Sequence, residues 1–224
     1  MLEIILDTET TGLSTKEKHR IVEIGCIELR DQIPTDKIFH EYLNPERKIS
    51  EDAFKVHGYS NEFLANKKTF KEIAKNILKF IENKKIIIHN AEFDLSFLNY
   101  ELKLINENEI NRKNVVDTLD IARQKFPGSQ NSLDALCKRF NIDNSKREKH
   151  SALVDCQLLR EVYINLLDQK EPKLNFKNTD VASIKFKGDN VNKKGIKKVI
   201  KPSAEELKIH SNYLKSSLAK NFFN

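Results

Sequence analysis

The chain has 224 residues, of which 39% are hydrophobic and 32% are charged, and its formal net charge is +6. This length and composition predict one large domain, or one domain with an appendage, with a heavily charged surface. No apolar run approaches the roughly 18–20 residues of a membrane-spanning helix, and the start MLEIILDTET lacks the basic residues of a secretory signal. Three cysteines, each among apolar residues and without a C-x-x-C pattern, predict buried, reduced thiols. We therefore expect a cytoplasmic protein without membrane contact.

The positive charge is concentrated at the end of the chain. Residues 1–168 contain 26 Lys and Arg against 28 Asp and Glu, a net charge of −2, whereas residues 169–224 contain 13 against 5, a net charge of +8. A basic tail can attract nucleic acid or an acidic partner, or it can be a solvated linker. The body must therefore recognise its ligand through a defined site.

Apolar periodicity predicts alternating strands and helices in residues 1–168. Strands are predicted at residues 2–6, 20–29, 37–43, 84–89 and 115–116. Amphipathic helices are predicted at residues 69–81, 93–104, 132–140 and 151–167. Three early strands followed by alternating helices and strands indicate an α/β domain, with a mixed sheet and helices packed on it.

The pattern changes after residue 168. Residues 169–202 are polar, rich in Lys and Asn and without helical periodicity, which is typical of a flexible linker. Periodicity returns at residues 203–218, where Ser203 and Glu206 form a capping-box pattern. A single helix after a long linker has no core of its own, so we expect the segment 203–224 to dock on the body or on a partner.

Two acidic patterns follow predicted strands. Asp7 and Glu9 come after the first strand, and alternation places both on one side of the chain, where they repel unless a cation lies between them. Alone, this pair could equally be an N-cap or a solvated loop. Asp94 lies in the first turn of the helix after the fourth strand, a position that the helix dipole alone would favour.

A third pattern joins a histidine to an acid. His150 precedes the helix predicted at residues 151–167, and Asp155 lies near that helix's apolar stripe, where a carboxylate needs a partner. Together with Asp7, Glu9 and Asp94, this gives four carboxylates at the ends of elements, where α/β sheets assemble their sites. Oxygen ligands select Mg²⁺ or Mn²⁺, a pair of such ions promotes attack on a phosphodiester, and an imidazole can take the proton from the attacking water.

These motifs resemble those of a known family. DTETTG, HNAEFD and HSALVD resemble, in order, the three motifs of the DEDDh 3′–5′ exonucleases. Residues 54–64, 126–146 and 155–163 are similar to the proofreading, or epsilon, subunits of bacterial DNA polymerase III. The resemblance implies a ribonuclease-H-like α/β fold, a mixed sheet flanked by helices, followed by a flexible C-terminal tail that ends in a helix. It also implies metal-dependent 3′–5′ removal of nucleotides from DNA ends.

The resemblance also implies roles for individual residues. Asp7, Glu9 and Asp155 would bind two divalent cations, Mg²⁺ or Mn²⁺, with Asp94 in the same cluster either directly or through water, and His150 would be the general base. The residues implied to face the terminal nucleotide are Glu9, Asp52, His57, Asp155, Leu13 and Phe93. Family members often have Glu in place of Asp52. His57 could instead be a turn residue before Gly58, and Leu13 and Phe93 could instead belong to the core.

The tail carries the implied partners. The segment 203–224 resembles the part that relatives use to bind the polymerase III alpha subunit, and a theta-like subunit is a further implied partner. Residues 171–176 resemble a sliding-clamp-binding sequence, with Leu174 and Phe176 present and Glu171 in place of Gln. Two alternatives remain: an exoribonuclease of the same family, against which the long tail argues, and a non-catalytic replisome scaffold, against which the intact acidic residues and His150 argue.

Overall fold

The computed structural model describes residues 1–145, 147, 149–167 and 202–216, with side chains up to Tyr213 in the last segment. The chain divides into two units, Met1–Leu174 and Asn175–Asn224. The predicted domain boundary at residue 168 lies outside the described residues. So do the predicted clamp-binding residues 171–176 and all of the predicted linker except Pro202. The predicted domain limits therefore stay predictions.

Five strands form one mixed sheet in the order β3-β2-β1-β4-β5. They are β1 (Leu2–Thr10), β2 (Ile21–Arg30), β3 (Ile33–Tyr42), β4 (Lys85–Ile88) and β5 (Val115–Asp117). The first three pair antiparallel, whereas β4 pairs parallel with both β1 and β5. The predicted α/β class is thus confirmed, although β1 continues four residues past its predicted end and β3 begins four residues early.

Seven α-helices accompany this sheet among the described residues of the first unit. They are α1 (Glu51–His57), α2 (Asn61–Ala65), α3 (Phe70–Ile81), α4 (Ala91–Leu104), α5 (Thr118–Lys125), α6 (Leu133–Phe140) and α7 (Ala152–Leu166). The short helices α1, α2 and α5 were not predicted, because their five to eight residues show no clear apolar period, unlike the equally short α6. Their starts are nevertheless encoded locally: the side chains of Ser50, Ser60 and Asp117 each accept a backbone N–H from the first turn.

Alternation along the central strands sends apolar side chains to both faces of the sheet. Ile4 and Leu6 belong to one buried cluster with residues of α3 and α4, and Ile5 belongs to a second cluster with Cys156 and Leu159 of α7. A third cluster packs α5 and α6 against α7. The three cysteines are free and buried, as predicted. The sheet is therefore covered on both sides, and α4 and α7 lie on opposite faces of β1.

Gly25 of β2 lets α7 approach the sheet closely. A Cβ atom built on Gly25 would lie 2.6 Å from the carbonyl carbon of Ala152 and 2.7 Å from the backbone nitrogen of Leu153. Because these are backbone atoms, they cannot rotate away from a side chain. The missing side chain thus sets the position of the first turn of α7 relative to β2.

The second unit contains α8 (Ala204–Ser216). Its predicted capping box is present: Ser203 N–H donates to Glu206 at 2.7 Å, and Glu206 N–H donates to the Ser203 hydroxyl at 3.2 Å. None of the helices within the described ranges has both the length and the apolar character needed to cross a bilayer.

Candidate active site

The predicted site residues line one cleft of about 1280 Å³. It is bordered by the end of β1, the starts of α4 and α7, helix α1 and the loop before α7. The predicted residues in its wall are Asp7, Glu9, Leu13, Asp52, His57, Phe93, Asp94, His150 and Asp155. The fold therefore brings together residues that are up to 148 positions apart in the sequence.

Asp7 and Glu9 lie within β1 and do not follow it, as the shorter predicted strand would have required. The ladder with β2 continues past Leu6, pairing Asp7 with Gly25 and Glu9 with Glu23. On the other side, β1 pairs with β4 only from Glu3 to Ile5. The acidic end of β1 is thus rigidly held by β2 and open on the side of β4.

Asp94 is fixed from two directions. Asp117 at the end of β5 accepts the backbone N–H groups of Asn90 at 3.0 Å and Ala91 at 2.9 Å, which anchors the start of α4. One oxygen of Asp94 then accepts both the N–H and the hydroxyl of Thr8, at 3.0 and 2.7 Å. Because Thr8 points to the opposite face from Asp7 and Glu9, Asp94 reaches the acidic strand end from the α4 side.

Glu23 of β2 anchors the start of α7 and was not identified from the sequence. This fully buried carboxylate accepts the Ser151 hydroxyl and the Ala152 N–H, each at 2.9 Å, and the Tyr59 hydroxyl at 2.6 Å. It also lies 2.7 Å from Nε2 of His40. Ser151 is the N-cap residue of α7, but its hydroxyl binds Glu23 and makes no capping hydrogen bond to the helix.

The first turn of α7 brings Asp155 beside Glu9 and His150. Potential ligand atoms of these three residues all lie within 4.8 Å of one another. The predicted base, His150, thus also stands close enough to take part in metal binding. Nδ1 of its half-exposed ring is 3.4 Å from Asp155.

Arg147 is a further site residue that the sequence did not reveal. Its Nε and Nη2 atoms donate to the two oxygens of Asp155 at 2.5 and 2.6 Å, and its Nη1 donates to Asp134 at 2.7 Å. In the sequence, Arg147 is one of several basic residues in a Lys-rich loop, eight positions before Asp155. That spacing does not indicate a contact between the two side chains.

The electrostatics of the cleft favour cation binding. Burial, followed by the charges of Asp94 and Glu9, raises the pKa of Asp7 well above its usual value. Burial and then the charge of Asp155 raise the pKa of Glu9 to about 8, and burial raises the pKa of Asp94 to about 7 against the hydrogen bonds from Thr8. Crowded carboxylates of this kind retain protons unless a cation replaces them. Oxygen donors with one imidazole suit a hard divalent cation, so the residues fit the predicted metal centre.

Burial also tends to raise the pKa of Asp155, but its contacts with His150 and with the Arg147 guanidinium outweigh burial and lower that pKa overall. Asp155 thus differs from Asp7, Glu9 and Asp94 in already having a cationic partner.

The residues predicted to face a nucleotide differ in exposure. His57 is buried at 3%, and its Nδ1 accepts the Tyr59 N–H at 3.0 Å, so the ring proton is on Nε2, which has no hydrogen-bond partner among the described residues. Asp52 is exposed on α1, and Leu13, at 85% exposure, lies at the cleft wall and not in the core. Phe93 is partly buried, with its ring 5.0 Å from that of Phe97.

Fold and site together define a nuclease of the DEDDh type. The chain belongs to the exonuclease family, whose model matches residues 4–163. It is 48% identical over 221 residues to the DNA polymerase III subunit epsilon of Rickettsia felis, an alignment that covers 96% of each chain. The predicted membership among the proofreading epsilon subunits, which are 3′–5′ exonucleases, is thereby confirmed.

Solved structures agree with this assignment. Exonuclease X in complex with 5′ overhanging duplex DNA is 25% identical, with a TM-score of 0.60 over 75% of this chain and 92% of that one. The nuclease domain of 3′hExo, a DEDDh family member bound to rAMP, is 18% identical, with a TM-score of 0.66 and the same coverage. The second likeness confirms the predicted ribonuclease-H-like fold. Exonucleases of this family depend on divalent metal ions.

Proposed function

We propose that the cleft hydrolyses the terminal phosphodiester at DNA 3′ ends, as the proofreading activity of a cytoplasmic DNA polymerase III. The convergence of Asp7, Glu9, Asp94 and Asp155 from β1, α4 and α7 beside His150 supports this proposal. Relatives named DNA polymerase III subunit epsilon align with this chain over nearly their whole length. Sequence similarity over 95–96% of this chain favours a shared substrate.

Two divalent cations, Mg²⁺ or Mn²⁺, would be held by Asp7, Glu9 and Asp155, with Asp94 acting directly or through water. Such ions activate water and stabilise the leaving oxygen. The protein positions its ligands before binding: β2 holds β1 rigid, Thr8 orients Asp94, and Glu23 holds the start of α7. This preorganisation reduces the rearrangement needed to reach the transition state.

His150 would accept the proton of the attacking water. Its imidazole lies beside Asp155, with 44% of the side chain exposed, so water can reach it. A loop position allows the ring to approach the scissile bond when a nucleotide fills the cleft.

The remaining cleft residues would bind the terminal nucleotide. His57 lines the cleft, its Nε2–H is a buried donor that would suit an oxygen of the sugar or phosphate, and Asp52 would act from the same helix. Leu13 and Phe93 offer apolar surface on which the terminal base can be wedged or stacked. Glu9 and Asp155 complete the contact from the metal side.

The tail would attach this nuclease to the polymerase. The apolar side chains of Leu207, Ile209 and Tyr213 on α8 are exposed, as expected for a helix that binds the alpha subunit. A theta-like subunit and the sliding clamp are further candidate partners, the clamp through residues 171–176.

A nuclease assay on matched and mispaired 3′ ends, with DNA and RNA in parallel and with Mg²⁺ or excess chelator, tests the proposal. We expect DNA cleavage from the 3′ end that needs the metal and is faster at mispaired ends. Asp7→Asn, a nearly isosteric variant, should fold but lose activity. Preferential cleavage of RNA would instead identify an exoribonuclease, and full activity in chelator would refute the metal centre.

A further inference from the structure

Arg147 is bound on three sides although it lies in the loop before α7. Only 7% of its side chain is exposed. Besides its two hydrogen bonds to Asp155, its Nη2 is 2.8 Å from Nδ1 of His150, and its Nη1 binds Asp134. A guanidinium nitrogen can only donate, so Nδ1 of His150 is the acceptor in this contact.

The guanidinium engages the part of Asp155 that a cation would need. Its planar fork occupies both carboxylate oxygens, and Nη2 lies between Asp155 and His150, two of the three residues whose potential ligand atoms cluster within 4.8 Å. Because like charges a few ångströms apart repel strongly in a partly buried site, a divalent cation and this guanidinium compete for Asp155.

Asp134 provides a second partner farther from the cluster. It lies in the first turn of α6 with 56% of its side chain exposed, and the same oxygen also accepts Nδ2 of Asn144 at 3.2 Å. Arg147 can therefore release Asp155 while one of its nitrogens stays bound to a carboxylate.

We propose that Arg147 is an internal counter-cation of the metal centre, which occupies Asp155 until divalent cations displace it towards Asp134. The proposal rests on the proposed metal-binding role of Asp155. While Arg147 is in place, its positive charge neutralises Asp155. Its Nη2–H also occupies the lone pair of Nδ1 of His150, so this nitrogen cannot accept a proton from water. Displacement of Arg147 by divalent cations then frees both Asp155, a candidate metal ligand, and His150, the candidate base. The site can therefore catalyse hydrolysis only when the cations are bound.

Direct titration of the full-length chain with Mn²⁺, without DNA, tests this competition by following the electron paramagnetic resonance signal of the free ion. Arg147→Gln removes the competing charge, and we expect it to bind Mn²⁺ at least about tenfold more tightly than the wild type. Arg147→Lys keeps the charge but cannot span both oxygens, and we expect a gain of about threefold. Arg30→Gln, which removes an exposed arginine at the end of β2, is the matched control and should bind like the wild type.

Asp134→Asn should change Mn²⁺ affinity in the opposite direction, because it weakens the ion pair that holds Arg147 after it leaves Asp155. We expect this variant to bind Mn²⁺ several-fold more weakly. Mn²⁺ affinities of Arg147→Gln and Arg147→Lys equal to or weaker than that of the wild type would overturn the proposal, and the lysine variant alone decides the question if the glutamine variant does not fold. Failure of the metal centre itself would look different: wild type and Asp155→Asn would then bind Mn²⁺ equally.

Discussion

At the scale of single residues, the strongest prediction concerns His150. His150→Ala should lower turnover by roughly 10²–10⁴-fold, the usual contribution of a general base, while the fold is kept. The reason is the position of the ring beside Asp155 and open to water. Single-turnover kinetics on a 3′-labelled DNA end measure the effect.

The same variant separates the two roles that the geometry allows for His150. If the imidazole is the base, the variant binds Mn²⁺ like the wild type at every pH between 6 and 9 while its cleavage rate stays low. Lost Mn²⁺ affinity would instead make His150 a metal ligand, and near-normal turnover would exclude it from the reaction.

The crowded carboxylates predict an unusual dependence of stability on pH. Because the pKa of Glu9 rises from 4.5 to about 8 on folding, its stabilising contribution is complete below pH 4.5 and is lost as the pH rises through about 8. In excess chelator we therefore expect the unfolding free energy to fall over this range, by roughly 4–5 kcal/mol.

Urea unfolding of wild type and Glu9→Gln at several pH values measures this change. The difference in unfolding free energy between the two chains isolates the contribution of Glu9. Histidines such as His57 and His89 have lowered pKa values, so their contribution to stability rises with pH instead of falling. Glu9→Gln should flatten the curve, as should saturating Mg²⁺ for the wild type. A difference that does not change with pH would contradict the charge crowding.

At the scale of elements, the contact between β2 and α7 sets the geometry of the site. Gly25→Ala would place a methyl group against the backbone of Ala152 and Leu153. We expect a loss of about 1–3 kcal/mol in the free energy of unfolding, the usual cost of overpacking. Because α7 carries Asp155, its displacement should also weaken Mn²⁺ binding and slow cleavage.

Urea unfolding and Mn²⁺ titration of Gly25→Ala, alongside the wild type, measure both effects. Unchanged stability would mean that α7 adapts without strain. Reduced stability with normal Mn²⁺ affinity would mean that the approach of α7 to β2 supports the fold but does not position Asp155.

The elements and the main site residues could be predicted because their signals are local. Short, contiguous motifs contain the acidic pair Asp7 and Glu9, the helix-start Asp94, and the pair His150 and Asp155. The long helices, in turn, show a clear apolar period. The end of β1 was missed because pairing with β2 sustains a strand through polar residues.

The supporting groups were missed for a different physical reason. Glu23 acts on Ser151 and Ala152 across 128 and 129 residues, and the fork of Arg147 on Asp155 depends on the path of an irregular loop. Such contacts are tertiary and have no counterpart in spacing or periodicity. The sequence could therefore indicate the candidate metal ligands but not the residues that position them and balance their charge.

At the scale of the whole molecule, catalysis and attachment should separate. All the described residues that line the cleft precede Leu167. Helix α8 has 13 residues, with Leu207, Ile209 and Tyr213 at 54%, 70% and 55% exposure. Isolated helices of this length are marginal in water, so α8 should gain its stability on a partner. The sequence predicts that Leu207, Leu214 and Leu218 form the apolar contact stripe of this helix, with Lys208 and Lys215 on or beside its rim. The last two leucines lie beyond the described side chains.

We therefore expect a chain shortened to residues 1–168 to fold and to cleave free DNA ends like the full-length chain, yet to lose affinity for the polymerase alpha subunit. Isothermal titration of alpha with both chains measures this loss, and Leu207→Ser in the full-length chain should weaken binding at least about tenfold, because it removes an apolar anchor from the stripe. Glu205→Ala, a change outside the stripe on the same helix, is the control and should bind normally. Equal affinity of the shortened and full-length chains would show that the polymerase contacts the nuclease body and that the terminal helix serves another purpose.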